Sequence, residues 1–252
     1  VLQALAGGGE RALTPRERIG FVGNASALLD AGALHGDAYL RLLKPFASDP
    51  EPDVVTAVIG SLAKVKNAFV TPELEPAFAR YVRQLLQPAV DRFGLSRRDG
   101  EAEAVSLLRP QLLQWMGRDG GDPAVIEHAS GVARAYMADP GTVDPSVAGV
   151  SLQLYALRGD RALFDEIRRR TEAATIPADR QRYLAALGYF RDPALVEEAL
   201  RYTVEGKLRP QELFTIPFSV GTAVANEGRA YRFFTENYEV IQKRMPPMFL
   251  AF

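Results

Sequence analysis

From residue 122 onward the sequence repeats one helix-start signal five times: Asp122-Pro123, Asp144-Pro145, Asp160 after Gly159, Pro177 with Asp179, and Asp192-Pro193. An N-cap aspartate accepts hydrogen bonds from backbone N–H groups that the first turn leaves without partners. Proline fits the first helical position because its missing N–H would have had no acceptor. An amphipathic segment of twelve to eighteen residues follows each signal. Alternate starts lie 38, 35 and 32 residues apart, within the range of helical-pair repeats.

The clearest pair reads DRQRYLAALGYF and then DPALVEEALRYTV, within 178–205. Its first helix places Tyr183, Leu184 and Leu187 on one face, and its second Leu195, Val196, Ala199, Leu200 and Val204. One such hairpin cannot bury its own apolar stripe, so it requires neighbours of the same kind.

The earlier half has the same grammar with less regular punctuation. A helix opens at Thr14-Pro15 with Ile19, Val22, Leu28 and Leu29. A short one follows from Asp37 with Leu40, Leu43 and Phe46, and a third runs after Pro52 with Val54, Val58, Leu62 and Val65. Thr71-Pro72 starts a longer helix with the stripe Leu74, Phe78, Tyr81, Leu85, Ala89 and Phe93, in which Pro88 predicts a kink. Between Asp99 and Gly117 the pattern groups Val105, Leu108, Leu112 and Trp115, with Pro110 as a second expected kink or break. The stretch from Gly206 to Val224 has no clear pattern, and a final helix is expected from Asn226, with Tyr231, Phe234, Tyr238, Ile241 and Met245 facing the core. No segment alternates apolar and polar residues over a strand length. The expected fold is all-α, a superhelix of stacked antiparallel helix pairs of the HEAT or armadillo kind, forming a single domain over residues 1–252.

Chemistry is harder to find. Thirty basic against thirty-one acidic residues leaves a formal net charge of -1, without the basic footprint of a nucleic-acid binder. The runs Arg97-Arg98 and Arg168-Arg169-Arg170 read as solvated helix faces. There is no cysteine, so disulfides and thiolate chemistry are excluded and the compartment is left open. No apolar run reaches the length of about twenty residues that spans a bilayer. The only histidines, His35 and His128, lie 93 residues apart and neither begins an HExxH, so no catalytic, cofactor-binding or metal-ligating residue is assigned. His128 borders the stripe Val125, Ala129, Val132 and Tyr136, and His35 sits in an exposed turn. There is no GxSxG elbow, and Gly7 to Gly9 lack the Lys-Ser/Thr of a phosphate loop. Carboxylate pairs such as Glu101 with Glu103, or Glu197 with Glu198, read as solvent-facing charge. A first residue that is Val1 rather than Met, and the closing run MFLAF, lead to the expectation that the chain is a fragment of a longer protein.

Four stretches in order carry a resemblance. They are RERIGFVGNASALLDAGAL from Arg16, LLRPQLLQWMGRDGGDPAVIEHA from Leu107, DRQRYLAALGYFRDPALVEEAL, and VANEGRAYRFFTENYEVI. Together they resemble the C-terminal helical domain of the HExxH zinc aminopeptidases that include the alanyl, glutamyl and endoplasmic-reticulum enzymes. Tyr231 and Tyr238 stand where that family usually has tryptophans, and Gly20 and Gly23 interrupt the opening helix.

The resemblance implies a zinc catalytic domain upstream in the same polypeptide and peptide substrates, with no nucleic acid or membrane as partner. This chain would then be the noncatalytic bowl of helices that covers the active-site chamber and limits or guides peptide access. A basic residue could meet the peptide's C-terminal carboxylate, and Arg229 and Arg232 lie near the resembling motif. The alternative is a free-standing helical-repeat scaffold that binds a protein partner on its concave face.

Overall fold

The computed structural model describes residues 12–245, and it contains thirteen α-helices and no strand among them. By its contacts the chain divides into two compact units, Val1–Val125 and Ile126–Phe252.

The first unit holds α1 (Pro15–Asp30), α2 (Gly36–Leu43), a 3-10 turn (Lys44–Ser48), α3 (Pro52–Phe69), α4 (Glu75–Phe93) and α5 (Glu103–Gln114). A capping box starts α1: the Thr14 N–H donates to Glu17 Oε2 at 2.8 Å while the Glu17 N–H donates to Thr14 Oγ1 at 3.4 Å. Alternate helices stack, α1 on α3 and α3 on α5, while the 3-10 turn and α4 pack together beside them. The valine and leucine stripe of α3 is buried throughout, as a helix covered on two sides must be.

Several expectations shift here. The buried face of α1 is Phe21, Val22 and Ala25, whereas Ile19 is exposed, because Phe21 turns inward to pack 5.2 Å from the Phe46 ring. Helix α4 begins at Glu75 rather than at Thr71, leaving Leu74 exposed in the preceding turn. It runs unbroken through Pro88 to Phe93; Pro88 and Gln84 both face solvent, where the carbonyl freed by the proline is not starved of partners. Pro110 likewise lies inside α5, and the regular helix gives way later, in a π turn at Trp115–Asp119.

The second unit holds α6 (Pro123–Ala138) from Ile126 onward, then α7 (Pro145–Ala156), α8 (Arg161–Ala173), α9 (Pro177–Leu187) and α10 (Pro193–Glu205). After these come α11 (Thr215–Gly221), α12 (Glu227–Glu236) and α13 (Tyr238–Arg244). Helix α9 packs on α7, α8 and α11, and α11 on α10 and α12. Thus α7, α9 and α11 form one row. Side-chain ion pairs link α8 to α10 and α10 to α12: Arg161 to Glu198 at 2.7 Å, and Arg229 to Glu197 at 2.6 Å. The repeat register read from the aspartates is therefore the stacking register.

Four of the five signals work as written: Asp122, Asp144, Asp160 and Asp192 each accept a backbone N–H of the first turn at 2.8–3.0 Å. The exception is α9, which is capped by Ile176 without a side-chain bond. Its Asp179 instead accepts from Tyr136 Oη at 2.5 Å and from Arg182 Nη1 at 2.9 Å. Leu184, Leu187, Phe164 and Phe190 are all buried at the centre, with Phe164 and Phe190 edge to face at 5.2 Å. Gly188 brings α9 against α11 so closely that a Cβ there would lie 2.4 Å from Ser219 Cβ and 2.8 Å from the Ile216 carbonyl oxygen.

The expected final helix is two, broken at Asn237. Of its expected core face Ile241 and Met245 are buried and Phe234 is half-buried, and Ala230 and Phe233 are buried as well, while Tyr231 is 71% and Tyr238 58% exposed. The buried stripe runs through Ala230 and Phe233, next to Tyr231 in sequence, so Tyr231 and Tyr238, seven residues apart, both fall outside it.

Candidate functional site

The sequence offers few donors, and the fold does not gather them. His35 is an exposed N-cap residue of α2 in the first unit. His128 is half-buried on α6 in the second, its buried Nε2 without a hydrogen-bond partner. Among the described residues no group of three or more His, Cys, Asp or Glu is placed to hold a metal ion, so a zinc ion finds no ligand set there. Gly7 to Gly9 lie outside the described residues.

The carboxylate pairs divide. Glu197 and Glu198 sit on the surface of α10 and pair with arginines. Glu101 does not face solvent: it receives Arg109 Nη1 at 2.7 Å and Nη2 at 2.5 Å, and Arg109 is 1% exposed. The Arg109 hydrogen bonds hold the Glu101 carboxyl down at about 2, against the opposing effect of desolvation. Arg109 also reaches the Phe93 and Gly94 carbonyls, which places this pair as the staple between the end of α4 and α5.

Two clefts in the second unit are lined by charged side chains. The first, about 350 Å³, lies between α10 and α12 and contains Arg229 and Arg232. Arg201, Arg229 and Arg232 face Glu197, Glu205 and Glu236 there, so its formal charges cancel. Arg229 is already paired with Glu197. A free carboxylate gains little from such a balanced lining.

The second cleft, about 600 Å³, is bounded by α8, by the end of α10 and by the connection that follows. Arg168, Arg180, Lys207 and Arg209 line it with Glu172 and Glu205; Arg180 is ion-paired with Glu212, and Arg168 lies 3.4 Å from both Glu172 and Glu198, which leaves Lys207 and Arg209 as its uncommitted cations. Arg168 is therefore not part of a merely solvated face: its guanidinium lies 4.8 Å from the Tyr202 ring centroid. Arg170 is also drawn inward, to the Met137 carbonyl at 2.5 Å, and of the three arginines only Arg169 stays well exposed.

Arg180 is the buried anchor of this cleft. Its Nε and Nη2 bind the two oxygens of Glu212 at 2.8 and 3.1 Å, and its Nη1 and Nη2 reach the carbonyls of Thr171 and Lys207. Glu212 also accepts the Arg209 backbone N–H at 2.8 Å. Burial alone would raise the Glu212 carboxyl, but these bonds outweigh it and hold the group below its ordinary value. From the other side Arg244 on α13 donates to the carbonyls of Thr203, Val204, Gly206 and Leu208. The sequence gives no period by which this connection could have been found. Its only signals are the acid of Gln211-Glu212 and the cations of the Lys207 and Arg209 pair.

The stacked rows define the class: a helical-repeat domain whose described residues present clefts and charged surfaces. The chain belongs to the family described as the ERAP1-like C-terminal domain, whose model matches residues 1–252. Among its relatives, Aminopeptidase M1-A of Oryza sativa subsp. japonica is 24% identical over 84% of this chain and 25% of its own length. Aminopeptidase M1 of Arabidopsis thaliana is 24% identical over 92% of this chain and 27% of its own. The alanine/arginine aminopeptidase of Saccharomyces cerevisiae is 24% identical over 93% of this chain and 28% of its own. The chain thus spans about a quarter of the length of the curated relatives it matches. No described helix is long and apolar enough to cross a membrane.

Proposed function

We propose that this chain is the noncatalytic C-terminal domain of a zinc-dependent aminopeptidase, with both of its units forming one domain that covers the active-site chamber and limits or guides peptide access. The observation that carries this reading is the family match along all 252 residues, set beside relatives that bear the name aminopeptidase and extend well beyond the matched quarter. The catalytic zinc and its HExxH belong, on this reading, to another part of the polypeptide. The stacked helices supply a rigid wall, because each buries its stripe only against its neighbours. Peptides that reach the chamber do so along this wall, and folded proteins are kept out by size.

The test is turnover. Purified residues 1–252 with added zinc and an aminoacyl chromogenic substrate should show none, while the polypeptide that contains this chain should hydrolyse the substrate in a metal-dependent manner. Metal-dependent hydrolysis by residues 1–252 alone would overturn the reading.

A further inference from the structure

We propose that the cleft at the end of α10 is a binding site for a small phosphate-type polyanion, held by Lys207 and Arg209 with Arg168 opposite. Lysine and arginine belong to a short connection in which the Leu208 N–H donates to the Gly206 carbonyl at 2.9 Å, closing a tight turn on Lys207, and Arg209 follows with φ -74° and ψ 157°. Leu208, between the two cations, is buried, while Lys207 and Arg209 are exposed and line the cleft.

The backbone of this segment is fixed from two directions. Arg244 takes the carbonyls of Gly206 and Leu208, at 3.4 and 2.7 Å, and Arg180 takes the intervening carbonyl of Lys207 at 3.3 Å. Glu212 takes the Arg209 N–H. Two buried or half-buried arginines thus hold the carbonyls of residues 206–208, and neither Lys207 among them nor the following Arg209 has its side chain in an ion pair with a described carboxylate. Packing explains Leu208; it gives no reason for cations on either side of it. Preorganisation of this kind lowers the ordering cost of binding.

The ligand class follows from the number and direction of donors. Lys207 and Arg209 approach from the connection, and Arg168, which also lies 3.4 Å from Glu172 and Glu198, lines the same space from α8. Cations on several sides suit a tetrahedral oxyanion, which accepts along several directions, better than a planar carboxylate, which one guanidinium fork satisfies. Glu172 and Glu205 on the lining reduce the net attraction, so the site favours an anion of at least two charges over a monoanion.

The experiment is titration calorimetry of residues 1–252 with tripolyphosphate, repeated with citrate and at raised salt. Saturable binding by tripolyphosphate, weakened by salt and about tenfold tighter than citrate, is expected. The double variant Lys207→Gln, Arg209→Gln should lose at least about tenfold in affinity while keeping its helical circular dichroism and melting temperature, since both side chains are exposed. Absence of saturable binding, or binding that the double variant retains, would overturn the site. Citrate binding as tightly as tripolyphosphate would overturn its phosphate character.

Discussion

Arg180 and Glu212 form a two-pronged ion pair, Nε to Oε1 at 2.8 Å and Nη2 to Oε2 at 3.1 Å, between the first turn of α9 and the turn that precedes α11. The pair does more than join two helices. Its arginine also closes the end of α8 through the Thr171 carbonyl, and its glutamate holds the Arg209 backbone. A connection with no apolar period is thereby given one conformation.

Replacing Glu212 with Gln should destabilise the second unit by about 3 kcal/mol, because it leaves the Arg180 charge buried without its counter-charge. The folded-state carboxyl titrates below its unfolded value. The pair's stabilisation is therefore complete above the ordinary carboxylate range and is lost as pH falls through the depressed folded value. Urea unfolding of the chain and of the Glu212→Gln variant at neutral and acid pH should show a gap that narrows toward acid.

Glu101 offers a parallel case in the first unit, with a sharper window. Its carboxyl falls from an ordinary 4.5 to about 2 in the folded chain, so its contribution is present above pH 4.5 and disappears as pH falls toward about 2. Trp115, buried against Phe78 with ring centroids 6.4 Å apart, reports on the same unit. Tryptophan fluorescence should show Glu101→Gln unfolding at a lower denaturant concentration than the unaltered chain at pH 7, with the two converging in acid.

Gly188 is required by closeness rather than by backbone angle. Its φ of -82° suits any residue, but an added methyl group meets Ser219 and the Ile216 carbonyl. Gly188→Ala should cost about 1–3 kcal/mol through overpacking, measurable as a lower melting temperature. An unchanged melting temperature would mean that α9 and α11 separate at no cost.

The aromatic residues of α12 and α13 separate the two readings of the last helix. Phe233→Ala should cost about 3 kcal/mol as a buried ring, whereas Tyr231→Ser and Tyr238→Ser should each change stability by less than about 0.5 kcal/mol. Chemical denaturation of the three variants checks this.

Much of the fold was legible because it is written in local chemistry. Asp144, Asp160 and Asp192 cap where they stand, and the stripes of α3, α9 and α10 are the ones buried. What escaped was long-range. Nothing near Asn237 announces the helix break, and in a stretch rich in aromatic residues the periodicity does not tell Phe233, which is buried, from Tyr231 and Tyr238, which are exposed. No spacing rule links Glu101 to Arg109 as a buried pair, or Arg180 to Glu212 across 32 residues. The clefts were less legible still, since charges that face one another in space come from different helices. Arg229, picked out by its place in a motif, proves to be committed to Glu197, while Lys207 and Arg209 lie in the stretch without pattern.

The most direct test of the proposed role is the length dependence of hydrolysis by the polypeptide that contains this chain, compared with a version ending before Val1. The ratio of cleavage rates for a single-residue chromogenic substrate and for a series of progressively longer peptides would be measured in both, with zinc content as a check on the catalytic part. Equal zinc content is expected, with a ratio that depends on peptide length only when residues 1–252 are present. The same length dependence in both forms would contradict it.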